Sequence, residues 1–372
     1  MNVISILEKM VQTNASDLHL KVGAPPVLRV DGLLQPLDVP PPNQEELVKV
    51  ADQILTPRQK KVFDDTREVD FGFGVPGLSR FRCNFYVQRG TISMVFRRIP
   101  FSVPGFDELN LPPAIRDLAS SPRGLILVTG TVGSGKSTTL AAMIEHMNHN
   151  LRKSIITIED PVEFLLRDDK SIISQREVGM DTLSFHEGLK HVLRQDPDVI
   201  LIGEIRDVET MQIALMAADT GHLVLSTLHT TDSAQTVNRV ISFYPPHQHE
   251  EVRFMLAATL RAVISMRLLP KAAGKGRVPA TEIMVCTAAI KDYITDPGKT
   301  QSIRLAIQEG VNQYGMQTFD QSIMRLYKQE QVTLEDALKH CTNPNEFSLR
   351  VKGIEATSDK TWELFESGGA KL

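Results

Sequence analysis

The chain has 372 residues, of which 42% are hydrophobic and 23% are charged, as is typical of a globular protein with one large domain or two. Its formal net charge of −4 provides no global basic field for a nucleic-acid partner. The three cysteines lie far apart, which argues against a disulfide framework or a tetracysteine zinc site and favours a reducing compartment. No apolar run reaches the roughly 18 residues of a membrane span, and the N-terminus is amphipathic rather than a signal peptide, so we expect a cytoplasmic protein without a transmembrane segment.

Residues 1–100 predict an α+β domain. An amphipathic helix opens the chain, and a second helix is predicted over 43–54. Stretches that alternate polar and apolar residues, such as 79–88, predict strands. The proline-rich segment 101–113 is the predicted linker to the rest of the chain.

Beyond the linker, predicted strands and helices alternate over 114–285. This alternation predicts a mostly parallel sheet covered by helices on both faces, an α/β fold. One long helix is predicted over 250–267 within this region. The pattern then becomes helical over 286–357, which predicts a small all-α appendage, and the polar tail at 358–372 is predicted to be frayed.

The stretch from Gly130 to Thr138 matches the phosphate-loop pattern G-x-x-x-x-G-K-[ST] at every fixed position, between an apolar strand pattern and a helical one. Its glycines let backbone N–H groups point at a phosphate, Lys136 can reach the β- and γ-phosphates, and the Ser137 hydroxyl can ligate Mg²⁺. We therefore predict ATP and Mg²⁺ as ligands. The predicted contacts are Thr131, Val132, Gly133, Ser134, Gly135, Lys136, Ser137 and Thr138.

Two acidic clusters follow apolar predicted strands, at the carboxyl ends where ligands bind in such sheets. The first contains Glu159, Asp160 and Glu163, and the second ends in Glu204. Carboxylates there can hold Mg²⁺ and can orient or deprotonate the attacking water. Gly203 occupies the place where many P-loop ATPases carry Asp, which leaves Glu204 alone and favours a magnesium ion held through water.

Two histidines, His222 and His229, bracket a third apolar strand pattern. Their odd spacing puts them on opposite faces of a regular strand, which argues against a shared metal site. A neutral histidine at the strand end can instead sense the γ-phosphate.

Together these segments resemble the secretion ATPase superfamily and, within it, the retraction motors of type IV pili. The resemblance covers nearly the whole chain. It implies a PAS-like N-terminal domain, a RecA-like ATPase domain and a homohexameric ring. It is carried by ASDLHLKVGAPPVLRVDG (15–32), SRFRCNFYVQRG (79–90), GTVGSGKSTT (130–139), ITIEDPVEF (156–164), SQREVG (174–179), LRQDPDVILIGEIRDVET (193–210), TGHLVLSTLHT (220–230) and YGMQTFDQSIMRLY (314–327).

The resemblance also implies roles for the polar residues around the loop. In the Asp box, Glu163 is implied to be the catalytic base. Glu159 is the first residue to consider as base if Glu163→Gln leaves kcat unchanged. Glu204 corresponds to the Walker B glutamate, with a part in catalysis and in magnesium binding. His222 and His229 belong to the His box. The implied nucleotide contacts beyond the loop are Glu159, Asp160 and His222, and His229 is placed with the catalytic residues.

Arginines of the N-terminal domain are implied to reach the nucleotide at a subunit interface. Arg82 and Arg97 resemble these residues, and a guanidinium offers fixed donors to phosphate oxygens. Arg80, Arg89 and Arg98 are less favoured neighbours.

The resemblance implies a motor that hydrolyses ATP for pilus retraction and twitching motility, docked on an inner-membrane platform protein. The stretch at 288–295 matches the retraction-associated AIRNLIRE stretch only at Ala289, Ile290 and Ile294, so an accessory retraction ATPase that works beside a paralogue is the alternative. A pilus-assembly or type II secretion ATPase is less favoured, because those usually carry an extra N-terminal region and a tetracysteine site that this sequence lacks.

Overall fold

The computed structural model describes residues 1–30, 32–100 and 102–353. The predicted tail at 358–372 and the last residues of the predicted helical region lie outside these ranges. Contacts divide the chain into two compact units. The first unit comprises 1–102, 160–166 and 176–184; the second unit comprises 103–159, 167–175 and the described residues from Phe185 onward.

The described residues of the first unit form one antiparallel sheet and three helices. The strands are β1 (Asp17–Lys21), β2 (Ala24–Val30), β3 (Leu33–Pro36), β4 (Glu68–Val75), β5 (Ser79–Gln88) and β6 (Thr91–Ile99), and the helices are α1 (Val3–Gln12), α2 (Gln44–Ile54) and α3 (Pro57–Thr66). The strand order is β3-β2-β1-β6-β5-β4. The third helix, which the sequence reasoning missed, begins with a capping box in which Thr56 and Gln59 satisfy each other's backbone N–H groups.

Buried and more exposed residues alternate along β5, and the buried ones contribute to the core of this unit. Phe81 and Phe85 are fully buried, whereas Arg82 between them is exposed. Phe85 packs edge-on against Phe71 and Phe96, with ring centroids 5.1 Å and 5.6 Å apart. One face of the sheet is therefore apolar, and the other face presents charged side chains.

The second unit is built on a seven-stranded sheet. Its strands are β7 (Gly124–Thr129), β8 (Ser154–Glu159), β9 (Ile172–Glu177, whose last two residues group with the first unit), β10 (Val199–Ile202), β11 (Leu223–Leu228), β12 (Leu260–Pro270) and β13 (Arg277–Val285). The order is β13-β12-β7-β11-β10-β8-β9. The five strands β12, β7, β11, β10 and β8 pair in parallel, and β13 joins β12 antiparallel. The predicted, mostly parallel α/β sheet is thus confirmed.

Helices follow most strands of this sheet, and several more close the described chain. They are α4 (Pro113–Ala119), α5 (Lys136–Asn150), α6 (Phe185–Val192), α7 (Val208–Asp219), α8 (Ser233–Ser242), α9 (His249–Thr259), α10 (Ala288–Thr295), α11 (Ile303–Glu309), α12 (Val311–Tyr314), α13 (Phe319–Lys328), α14 (Leu334–His340) and α15 (Pro344–Val351), with 3₁₀ turns at Pro246–Gln248 and Pro297–Ser302. Within the described ranges, no helix has the length and apolar character needed to cross a membrane.

The predicted helix over 250–267 is wrong in its second half. The helix ends at Thr259, and Leu260–Pro270 forms the strand β12. This segment pairs with β7 on one side and β13 on the other, and most of its side chains are buried. A strand buried on both faces has no period-two polar pattern, so its apolar run extended the helical pattern before it.

Candidate active site

The loop from Gly130 to Gly135 joins β7 to α5. Every residue of β7 is buried, and α5 begins at Lys136 with Gly135 in a left-handed conformation at φ 98°. Gly130 has φ 144°, and a Cβ there would lie 2.5 Å from Ser134 Oγ and 2.6 Å from the carbonyl oxygen of Met266. Only glycine fits at this position, because the loop lies close against Met266 in β12 and against its own Ser134.

The loop brings buried polar groups together. Lys136 is only 8% exposed, and its Nζ donates hydrogen bonds to the carbonyl oxygens of Gly130 and Thr131, each at 2.9 Å. The Ser134 hydroxyl is buried and has no hydrogen-bond partner among the described residues. Ser137 and Thr138, in the first turn of α5, are half-buried. A buried ammonium and an unsatisfied hydroxyl inside a glycine-rich loop suit the oxygens of a phosphate.

A carboxylate and an imidazole lie beside this lysine. His229 Nδ1 lies 3.4 Å from Lys136 Nζ, and His229 Nε2 lies 3.1 Å from Glu204 Oε1. Because Lys136 can only donate, this contact pattern suits a ring that accepts at Nδ1 and donates from Nε2. The other oxygen of Glu204 accepts a hydrogen bond from Arg206 Nη2 at 2.8 Å.

The charge state of Glu204 follows from these neighbours. Partial burial would raise the pKa of this carboxyl group, but the hydrogen bond and charge of Arg206 and the contact with His229 outweigh burial and hold the pKa below its ordinary value. Glu204 is therefore a carboxylate at neutral pH. Arg206 is a neighbour that the sequence reasoning did not select.

Parallel register explains why distant sequence segments meet at one edge. Leu228 pairs with Thr129, and Ile202 pairs with both Ser226 and Ile158, so these four strands end side by side. Their continuations carry the phosphate loop, His229, Glu204 and Glu159.

Glu159 ends β8 with its carboxylate held in place. Its Oε1 accepts hydrogen bonds from Thr157 Oγ1 at 2.6 Å and from Gln175 Nε2 at 3.1 Å. Gly203 directly follows the neighbouring strand β10, and a Cβ on it would lie 3.3 Å from Glu159 Cα and from the carbonyl oxygen of Ile158. Glycine at 203 therefore permits close approach of the two strand ends, where a larger residue would be crowded.

His222 lies at the other end of β11 from His229. Its carbonyl oxygen accepts from the Gly124 N–H at 3.0 Å, and its Nδ1 lies 2.9 Å from the carbonyl oxygen of Ala217. The strand β11 between the two histidines has six residues, so the two side chains lie at opposite ends of the strand. Within the second unit the structure does not bring His222 to the phosphate loop, and its assignment as a nucleotide contact stays a prediction.

The remaining predicted residues belong to the first unit. Asp160 and Glu163 lie in its segment 160–166, where Glu163 is exposed. Arg82 and Arg97 are directly paired in the register of β5 and β6. Their roles toward the nucleotide stay predictions.

Arg97 is held by a carboxylate on its own sheet. Its Nε donates to Asp17 Oδ1 at 2.8 Å. Burial would raise the pKa of Asp17, but the hydrogen bonds from Arg97 and Ser16, with the Arg97 charge, lower the pKa overall. Arg97 is thus tied to Asp17, whereas the neighbouring Arg82 has no such ion pair among the described residues.

A basic cleft of about 600 Å³ borders the phosphate loop in the second unit. Loop residues 131–134 form one wall, and Arg267, Arg277 and Lys339 contribute positive charge to the lining. Arg277 Nη1 donates to the Gly133 carbonyl oxygen at 3.3 Å. The sequence reasoning missed these side chains, because β12, β13 and α14 lie more than a hundred residues after the loop and carry no local motif.

A glycine-rich loop with a lysine joins a parallel strand to a helix, and a carboxylate lies nearby. This arrangement is typical of P-loop ATPases, and the chain is a P-loop ATPase. Residues 2–340 match the family described as type II/IV secretion system protein. The chain belongs to this family.

Individual relatives match over nearly the full chain. The type IV pilus retraction ATPase PilT of Pseudomonas aeruginosa is 43% identical over 347 residues, which cover 93% of this chain and 100% of PilT. The type IV pilus ATPase PilU of the same organism is 39% identical over 355 residues, which cover 95% of this chain and 92% of PilU. A crystal structure of PilT with bound ADP matches with a TM-score of 0.86 at 43% identity, and the match covers 93% of this chain and 98% of that one.

Proposed function

We propose that this chain is a motor ATPase that drives retraction of type IV pili and twitching motility. The observation that carries the proposal is the contact series from Lys136 through His229 to Glu204, at 3.4 Å and 3.1 Å, in a chain that is 43% identical to a pilus retraction ATPase. An intact phosphate loop beside an ionised carboxylate supports a hydrolysing enzyme rather than a ring subunit without activity.

The loop residues fit ATP and Mg²⁺. The unsatisfied Ser134 hydroxyl and the Lys136 ammonium would bind phosphate oxygens in place of the loop carbonyls. In the described ranges no three His, Cys, Asp or Glu side chains form a metal cluster, so Mg²⁺ would rest on the Ser137 hydroxyl and on phosphate oxygens, with Glu204 acting through water. When bound, Mg²⁺ neutralises charge on the β- and γ-phosphates.

The catalytic assignments follow the resemblance to this family. Glu163 would accept a proton from the attacking water, and His229 would respond to the γ-phosphate through its contact with Lys136. Arg82 and Arg97 would reach the nucleotide of a neighbouring subunit in a homohexameric ring. Their exposure on one sheet face supports such a role, because both side chains are accessible to another subunit.

The ring would act on an inner-membrane platform protein from the cytoplasmic side. Peripheral docking is the arrangement that suits a chain in which no described helix could span a membrane. An accessory retraction ATPase, acting beside a paralogous motor, is the second candidate. It is considered because Pseudomonas aeruginosa has the pilus ATPases PilT and PilU, which are 43% and 39% identical to this chain. An assembly or type II secretion motor is a weaker candidate.

Surface pili can distinguish these functions. We would count pili and measure twitching in a strain that lacks this chain, and then supply either the wild-type chain or Glu204→Ala. Excess pili and lost twitching, rescued only by the wild-type chain, are the expected result. Bald cells would identify an assembly motor instead, and normal pili with normal motility would favour the accessory function.

A further inference from the structure

Glu177 is a buried carboxylate that joins three segments of the first unit. It is 1% exposed. Its Oε1 accepts the Gly72 N–H at 2.9 Å, and its Oε2 accepts Arg80 Nη2 at 2.8 Å and the Val162 N–H at 3.2 Å. Gly72 and Arg80 lie on β4 and β5, whereas Val162 directly precedes Glu163. One side chain therefore fixes the segment that carries Glu163 to the antiparallel sheet.

The surroundings of Glu177 leave little freedom to its carboxylate. A Cβ on Gly72 would lie 2.5 Å from Glu177 Oε1 and 2.6 Å from Arg80 Nη2, so glycine at 72 makes room for the ion pair. The Glu177 backbone is also fixed, because its N–H donates to Asp181 Oδ2 at 2.8 Å and its carbonyl oxygen accepts from the Asp181 N–H at 2.8 Å. A buried charge with this many donors holds its partners in one geometry.

We propose that Glu177 is a positioning residue for catalysis, which acts by fixing the backbone of Val162 and thereby the placement of the Glu163 carboxylate. The proposal rests on the proposed function, in which Glu163 is the base. Val162 is itself buried, and the hydrogen bond between its N–H and Glu177 sets the backbone one residue before the base. Arg80 takes part as the counter-ion, because it holds the same Oε2 atom that accepts from Val162.

The two acceptor oxygens of the Glu177 carboxylate, rather than the size of the side chain, are essential for these contacts. All three of its hydrogen-bonding neighbours are donors. In Glu177→Gln one oxygen becomes an NH₂ group, which must then face either the Gly72 N–H or the Arg80 and Val162 donors. Two donors that face each other repel, so the segment should shift while the overall size of the side chain is kept. Displacements of about 1 Å at a catalytic group can lower rates by about 100-fold.

The test compares turnover in the full-length chain with and without the base. We expect Glu177→Gln to lower kcat by at least about 10-fold with KM for ATP changed less than about two-fold, because positioning acts on the chemical step. In a Glu163→Gln background the same substitution should lower the residual kcat, measured with labelled ATP, by less than about two-fold, because effects that pass through one group are not additive. Glu68→Gln, an exposed carboxylate change on β4, is the matched control and should leave kcat unchanged.

Several outcomes would overturn the proposal. An unchanged kcat in folded Glu177→Gln would remove the positioning role, and an equal loss of kcat in both backgrounds would show that Glu177 acts independently of Glu163. If Glu177→Gln does not fold, Arg80→Gln, which removes the counter-ion from a partly exposed site, carries the same pair of measurements. A normal kcat in Glu163→Gln alone would instead refute the base assignment of the proposed function.

Discussion

His229 and Glu204 are in contact through His229 Nε2 and Glu204 Oε1, 3.1 Å apart. The other ring nitrogen of His229 faces Lys136 Nζ at 3.4 Å. One imidazole thus bridges the lysine of the phosphate loop and the carboxylate of Glu204, two residues after β10 ends. A phosphate that draws Lys136 away from its loop carbonyls would also change the hydrogen bonding of His229. We therefore expect nucleotide binding to affect the Glu204 carboxylate through these contacts.

Lys136→Ala should abolish tight ATP binding. The substitution removes the ammonium that pairs with phosphate oxygens, and we expect affinity to fall by at least about 100-fold. Equilibrium titration with a fluorescent ATP analogue measures this. Lys153→Ala is the matched control. Lys153 directly precedes β8, its Nζ lies 3.0 Å from Asp198 Oδ1, and its substitution should not affect ATP affinity. Normal affinity in Lys136→Ala would refute the phosphate-loop assignment.

Gly130→Ala should destabilise the chain more than Gly133→Ala. Both glycines have positive φ, at 144° and 75°, but a Cβ at Gly130 meets Ser134 and Met266 within 2.6 Å, whereas one at Gly133 meets nothing within 4 Å. Backbone strain costs about 1–2 kcal/mol at Gly133, which is near the left-handed helical region, and about 1–3 kcal/mol at Gly130, whose φ lies in a sparsely populated region. Steric overlap adds about 1–3 kcal/mol at Gly130 alone. Thermal unfolding midpoints of the nucleotide-free variants test the order, and equal midpoints would contradict it.

The sequence predicts the parts of this site that lie in continuous motifs. The phosphate loop is recognisable because its fixed positions fall within eight residues, and Glu204 because it closely follows an apolar strand pattern. The sequence pattern predicts helix where β12 lies, because burial on both faces leaves this strand without polar alternation. The Glu177 contacts were not predictable, because Arg80 lies 97 residues away and a hydrogen bond across that distance leaves no local pattern.

Glu204→Gln should be less stable than the wild-type chain near neutral pH, and this difference in stability should decrease in acid. Burial opposes ionisation of Glu204, but Arg206 and His229 outweigh it, so the pKa lies below its ordinary value of 4.5 in the folded chain. A lowered pKa contributes stability that is fully present above the unfolded value and is lost as pH falls through the folded one. At about pH 6 the wild-type chain should therefore have a higher thermal unfolding midpoint than Glu204→Gln, and the difference between the two midpoints should shrink toward about pH 4.

The control for this measurement is Glu309→Gln, which changes an exposed carboxylate at the end of α11. Its melting difference from the wild-type chain should stay small across the same pH range. A difference between Glu204→Gln and the wild-type chain that grows in acid would contradict the lowered pKa.

Arg82→Ala and Lys136→Ala should complement each other in mixed assemblies. If an arginine of one subunit completes the nucleotide site of the next, each variant alone lacks one half of every site, and kcat should fall by about 100-fold or more. In an equal mixture, the intact loop of an Arg82→Ala subunit can face the intact arginine of a Lys136→Ala subunit, which restores about a quarter of the interfaces. ATPase activity of the mixture should therefore exceed that of either variant.

Arg97 is a less direct probe, because its substitution also leaves Asp17 without its 2.8 Å partner. A mixture with no more activity than its components would place Arg82 outside the neighbouring nucleotide site.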